Sequence, residues 1–122
     1  MPLIARTVTT DTESSLQRRI MLALGRVPGL LVLRNNVGLA DHVRPDGEPY
    51  RIPYGLGVGS PDLICFHSGR VFGLECKRPG ESATTEQRDC HAMWLRGGAV
   101  RVYVVHSEGE AWAAWERERV GG

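Results

Sequence analysis

Residues 59–80, GSPDLICFHSGRVFGLECKRPG, set Asp62, Glu75 and Lys77 into what otherwise reads as two short apolar strands. Charges within strands are costly unless something pairs with them. The three are therefore a solvated edge, a structural ion pair or the parts of a reactive site. A turn centred on Ser68-Gly69, with His67 facing Arg70, puts Asp62 directly opposite Glu75. Lys77, two residues further on, points to the same face. Like charges opposed across an antiparallel pair sit about 4.5–5.5 Å apart and repel. Lys77 offsets part of that repulsion, and a divalent cation offsets more. Ligation by two carboxylates suits Mg²⁺ or Mn²⁺, which keep several waters and accept phosphate oxygens. A structural ion pair would need only one carboxylate for the lysine.

Lys77 is also the only lysine among 15 basic residues, the others all being arginine. A codon preference accounts for the arginine bias, but it leaves the exception to explain. A guanidinium cannot be deprotonated in proteins, whereas a lysine ammonium is a compact charge whose pKa responds to burial.

Several elements must position these groups. On the paired strands, one face carries Leu63, Cys65, Phe72, Leu74 and Cys76, while the other carries Ile64, Phe66, Val71 and Gly73 near the turn. Two faces with apolar residues to cover predict central strands. Upstream, apolar residues recur at Leu16, Ile20, Ala23, Leu24 and Val27, at helical spacing, with Asp11 or Thr12 as cap and Pro28-Gly29 as stop. Glu13 continues this stripe one turn beyond its apolar part. It either points at the open end of the strand pair or simply complements the helix dipole.

Residues 30–36 read as a strand, and residues 37–60, rich in glycine and proline without a sustained period, as a long loop. Thr84 and Gln87 fit a capping box opening a helix whose Cys90, Met93 and Trp94 make an apolar core face, with Gly97 as its C-cap. Residues 99–106 read as a buried strand, and EAWAAWERERV as a short final helix. The expected order is α-β-β-β-α-β-α, an α/β fold with helices on a mixed sheet.

At 122 residues the chain fits one domain, 1–122. With 42% hydrophobic and 24% charged residues, it has the composition of a soluble globular protein. No apolar run is long enough to span a membrane, and the N-terminus lacks the apolar stretch of a signal peptide, so cytoplasmic residence is expected. Three cysteines without C-x-x-C spacing suggest neither a zinc site nor a disulfide framework. A net charge of +1 gives no global sign of nucleic-acid binding.

P-D followed by E-x-K, on two antiparallel strands after a helix and a strand, resembles the PD-(D/E)XK nuclease superfamily. The flanking segments GVGSPDLI, GLECKRPGESATTEQ and LRGGAVRVYVV are similar to the VRR-NUC family, the virus-type replication–repair nucleases. That family carries a helix-borne glutamate, a G-x-PD strand, E-x-K and an S-x-x-Q-like segment before a helix. Glu13, Asp62, Glu75, Lys77 and Gln87 match in position, and the resemblance runs from about Glu13 to Val105, in the manner of a standalone bacteriophage or bacterial member.

The resemblance implies a restriction-endonuclease-like core and Mg²⁺- or Mn²⁺-dependent hydrolysis of DNA phosphodiesters. Asp62, Glu75 and the Cys76 backbone carbonyl would ligate the metal, with Glu13 holding it directly or through water. Lys77 would position or activate the attacking water, and Gln87 would orient Lys77 or that water. It further implies a structure-specific endonuclease acting as a homodimer on branched DNA such as Holliday junctions, in a bacterial or phage-infected cell. The alternatives are flap or duplex cutting, or a DNA-binding subunit that does not cut.

Gln87 also fits as no more than the far end of the capping box. Arg18, Arg19, Arg34, Arg44, Arg51 and Arg78, with Asn35 and Asn36 grouped beside Arg34 on the presumed rim, are either phosphate contacts around the site or a solvated polar surface. His42, His67, His91 and His106 share no ligand spacing and are assigned no chemistry.

Overall fold

The structure, a computed structural model, describes residues 12–121. Asp11 therefore lies outside the described residues, and Thr12 caps the first helix, α1 (Glu13–Leu24), by accepting the Ser15 N–H at 3.0 Å. Leu16, Ile20 and Leu24 are buried along one stripe, as their spacing predicts. The helix ends at Leu24, earlier than the expected Pro28-Gly29 stop, with the Gly25 N–H bonded to the Met21 carbonyl. Val27 then packs against the core from the turn that follows.

Strand β1 (Leu30–Arg34) leads into a correction. Residues 37–60 are not one long loop but contain a hairpin, β2 (Gly38–Val43) and β3 (Pro49–Tyr54), which pair only with each other. Its turn is closed by the Gly47 N–H donating to Arg44 O and the Glu48 N–H donating to the Asp46 carboxylate. The Pro45-Asp46-Gly47 turn chemistry is what specifies it. The element order is therefore α-β-β-β-β-β-α-β-α.

Strands β4 (Leu63–His67), β5 (Arg70–Cys76) and β6 (Arg101–Val105) complete a four-stranded sheet in the order β1-β4-β5-β6, antiparallel except for the parallel β5–β6 pair. The β4–β5 register pairs His67 with Arg70 and Leu63 with Leu74, as the turn requires. Ser68 and Gly69 both take positive φ (51° and 77°), the two-residue hairpin geometry that matches strand twist. Both strands are central. Leu63, Cys65, Phe72, Leu74 and Cys76 are all buried against α1 and the last helix, α3 (Glu108–Gly121), which contributes Ala111, Ala114 and Trp115. The Trp115 ring meets His67 edge-on at 4.6 Å between centroids.

The opposite face of the sheet differs from expectation. Helix α2 (Thr85–Gly98) has no buried residue, and Met93 is 58% exposed, so its apolar positions are not core. The half-buried positions are Gln87, Cys90, His91 and Trp94, a partly polar stripe. The helix runs through Gly97 and stops only at Ala99, whose left-handed φ of 55° forms the cap. Strand β6 is consequently shorter than residues 99–106. It is an edge strand in which only Val105 is fully buried, not a buried strand. The fold is thus mixed α/β, a mixed sheet with three helices. Among the described residues no helix is long and apolar enough to cross a membrane.

Gly73 lets the Pro61 ring lie on β5: a Cβ there would sit 2.7 Å from Pro61 Cγ and 3.2 Å from Val102. Gly73→Ala is accordingly expected to lower the free energy of unfolding by about 1–3 kcal/mol through overpacking against a rigid ring. Urea unfolding measures this, and an unchanged midpoint would show that the Pro61 seat is not confined.

Candidate metal centre

Asp62 sits one residue before β4, at the open end of the central strand pair. Its Oδ2 accepts the Cys76 N–H at 2.8 Å, so a side chain takes over where the β4–β5 ladder ends. Glu75 is 1% exposed and is held at both oxygens by α2. Gln87 Nε2 donates to Oε2 at 3.2 Å, and His91 Nε2 lies 3.0 Å from Oε1. The Asp62 and Glu75 carboxyls are close enough that each carboxylate charge bears on the other. Lys77 is 8% exposed, and its backbone N–H bonds to the Val105 carbonyl across the sheet.

The electrostatics follow from this packing. Burial raises the Glu75 pKa well above the carboxylate range, and the neighbouring Asp62 carboxyl raises it further, while Lys77 pulls it down. Without a cation the carboxyl pair therefore retains a proton at neutral pH. Burial lowers the His91 pKa, which works against an ion pair at its 3.0 Å contact with Glu75. Glu13, half-buried in the first turn of α1, is raised by burial and by the nearby Glu81 and Asp62 carboxylates, against the opposing effect of Lys77. The helix thus brings Glu13 within electrostatic reach of Asp62 and Lys77, and it stands at the dipole-favoured first turn as well.

These residues fit a hard divalent cation. Asp62 and Glu75 offer carboxylate oxygens. The Cys76 N–H leaves its strand toward Asp62, whereas the Lys77 N–H leaves toward β6, so by strand alternation the Cys76 carbonyl also faces the Asp62 side. Among the described residues no three His, Cys, Asp or Glu side chains gather into a metal cage. Two carboxylates and a carbonyl are, however, what Mg²⁺ takes when it keeps its remaining waters. The Cys65 and Cys76 side chains lie in the apolar core, where burial pushes the Cys65 thiol up to about 12 and raises Cys76 as well.

Gln87 closes the expected capping box, and its other contact is to Glu75, where the resemblance implied Lys77 or a water. Its Oε1 accepts the Thr84 N–H at 2.8 Å to close the capping box, while its Nε2 holds Glu75. His91 is the residue that sequence reasoning missed. Standing four residues after Gln87, it shares that helix face, which was the available signal. Asn35 was grouped with the rim arginines but instead ties the chain together. Its Nδ2 donates to Ser60 Oγ and to Pro61 O, both at 2.8 Å, its N–H donates to Asp62 O, and its Oδ1 accepts the Leu56 N–H.

A cleft of about 490 Å³ opens onto the pair, lined among others by Gln17, Arg34, Asn36 and Tyr54. Of the arginines considered, Arg34 lines this cleft and Arg18 is exposed on α1 beside Gln17. Arg19 pairs with Glu108 on α3, Arg51 with Asp41 on the hairpin and Arg78 with Glu81, while Arg44 lies over the Tyr50 ring. No family model matches the chain, and no curated protein is similar enough to count as a relative.

The raised Glu75 pKa gives a signed expectation. A cation must displace the shared proton, so binding strengthens as pH rises, by up to about tenfold per unit for one proton. Without a cation, the stability that the proton confers is present at low pH and is lost as pH climbs toward the Glu75 value. The rise in melting temperature produced by Mg²⁺ should therefore grow between pH 6 and pH 8.5 and shrink in Glu75→Gln. A Mg²⁺ shift that stays constant with pH would contradict the proton-sharing pair.

Proposed function

We propose that the chain is a Mg²⁺- or Mn²⁺-dependent endodeoxyribonuclease, as its resemblance to the VRR-NUC nucleases suggests. The observation that carries this reading is the half-buried Asp62 paired with the buried Glu75, with the buried Lys77 beside them and a polar cleft opening onto the pair. A carboxyl pair kept together without a cation works against stability, and a fold that needed only packing would have no use for it.

Asp62, Glu75 and the Cys76 carbonyl would hold the cation, with Glu13 reaching it through water. When bound, the cation makes water a competent nucleophile near neutral pH and offsets charge on the phosphate. Lys77 supplies a fixed positive charge where negative charge develops, inside a site partly closed to solvent. Gln87 orients Glu75 and so acts on the cation's ligand. Arg34, Asn36 and Gln17 offer donors to a DNA strand laid in the cleft, contacts that position the backbone without reading sequence.

The favoured substrate is branched DNA such as a Holliday junction, cut by a homodimer. A two-fold pair of sites suits incision of two symmetry-related strands. Two features support a partner surface. Leu31, Leu33 and Phe66 are exposed on one face of the sheet, and the β2–β3 hairpin exposes Leu39, Val43 and Ile52. Patches of this kind mark interaction surfaces.

The decisive measurement incubates the purified protein with Mg²⁺ or Mn²⁺ and labelled four-way junction, flap, splayed-arm, duplex and single-stranded DNA. Junction cleavage is expected, reduced by about 100-fold or more in Asp62→Ala and Lys77→Ala. Flap or duplex cutting at the same rate would replace the junction reading. Binding without cleavage would leave a DNA-binding subunit, and a monomeric mass in light scattering would remove the paired incision.

A further inference from the structure

The contact between His91 and Glu75 has a chemical consequence beyond packing. Glu75 is closed off from solvent, and both its oxygens are occupied by donors from one helix face, Gln87 at Oε2 and His91 at Oε1. The Gln87 amide carries no charge, and the His91 Nε2 lies 3.0 Å from Oε1, within reach for an N–H of the imidazole to donate. A neutral donor fills a lone pair and fixes the carboxylate plane without cancelling its charge. A guanidinium or ammonium in the same place would compete with a cation for that charge. The His91 side chain is itself nearly enclosed, at 12% exposure, so its ring has little freedom to turn away.

We propose that His91 is a positioning residue for the candidate metal centre, donating its Nε2–H to Glu75 Oε1 so that Glu75 meets a divalent cation in one fixed orientation. This rests on the reading of Asp62 and Glu75 as cation ligands. His91 does not touch the cation. It acts through Glu75, as outer-shell partners of metal ligands do, where removal typically weakens metal binding by about 10–100-fold. Gln87 and His91 are four residues apart on α2, so one helix face sets both oxygens together.

The test uses Mn²⁺ alone, without DNA. Calorimetry on the full chain should show Mn²⁺ affinity falling about 10–100-fold in His91→Leu, which keeps bulk and removes the donor. His91→Gln, which restores a neutral N–H, should recover most of it. Electron spin-echo spectroscopy of the bound Mn²⁺ should show no directly coordinated nitrogen. Histidine ¹⁵N spectra of the unaltered protein supply a reading that no folding defect can spoil: His91 should carry a hydrogen on Nε2 before and after Mg²⁺ is added.

Unchanged affinity in a folded His91→Leu would overturn the proposal, as would a coordinated nitrogen or an Nε2 without its hydrogen. These outcomes are separable from the proposed function. A chain that binds Mn²⁺ but cuts no DNA loses the nuclease reading and keeps the His91 role. A chain that binds no Mn²⁺ loses both.

Discussion

Opposing Asp62 and Glu75 across the central antiparallel pair forces the surroundings of the site into a particular form. Two carboxyls at that spacing repel if both are charged, and burial makes each charge harder to keep. The fold answers with donors: the Cys76 N–H for Asp62, and Gln87 and His91 for Glu75. The Cys76 backbone amide and the Gln87 side-chain amide are uncharged, so they stabilise the geometry without acting as counter-ions. Lys77 is the cation buried alongside, and it lowers the Glu75 pKa only in part. Without metal the remaining imbalance is met by a proton.

The backbone keeps that arrangement from relaxing. The tight Ser68-Gly69 turn fixes the register from one end. From the other end, Asn35 binds the segment leading to Asp62 through Ser60, Pro61 and the Asp62 carbonyl. Gly59, at a φ of 87°, brings this segment so close to α2 that a Cβ would lie 2.9 Å from the Glu86 carbonyl. Helix and segment are therefore locked to each other. Gln87 extends the coupling, because one amide both starts α2 and holds Glu75. Helix position and carboxylate orientation cannot change independently.

What could be read from the sequence was whatever depended on local spacing. The turn residues gave the β4–β5 register and the apolar alternation gave the core face, while the α1 stripe left Glu13 open between the strand pair and the helix dipole. The hairpin was missed because glycine and proline interrupt its alternation, although Pro45-Asp46-Gly47 between two extended runs was a usable sign. The α2 core face was misjudged for a different reason. Met93 and Trp94 satisfy a hydrophobic pattern, but the helix lies over the charged end of the sheet and turns Gln87 and His91 inward. A polar face directed at a buried carboxylate cannot be told from a solvated one until the partner's position is known. For the same reason Asn35 looked like a rim residue when its partners lie 21 to 27 positions away.

The charge around the cleft bears on how a polyanion could enter. A net charge of +1 looks unpromising for a DNA substrate, but the arginines are held at very different strengths. Arg34 already lines the cleft. Arg78, next to Lys77, and Arg51, on the hairpin, sit in exposed ion pairs with Glu81 and Asp41. Pairs of that kind contribute only about 0–1 kcal/mol, so a phosphate could take either arginine with little loss to the fold. The donors around Glu75 are buried and cannot be exchanged so freely, since removing one would leave a carboxylate oxygen without a partner. The molecule thus combines a rigid centre with a rim whose charges can be redirected. That division suits a cation held in one geometry and a backbone substrate admitted in several.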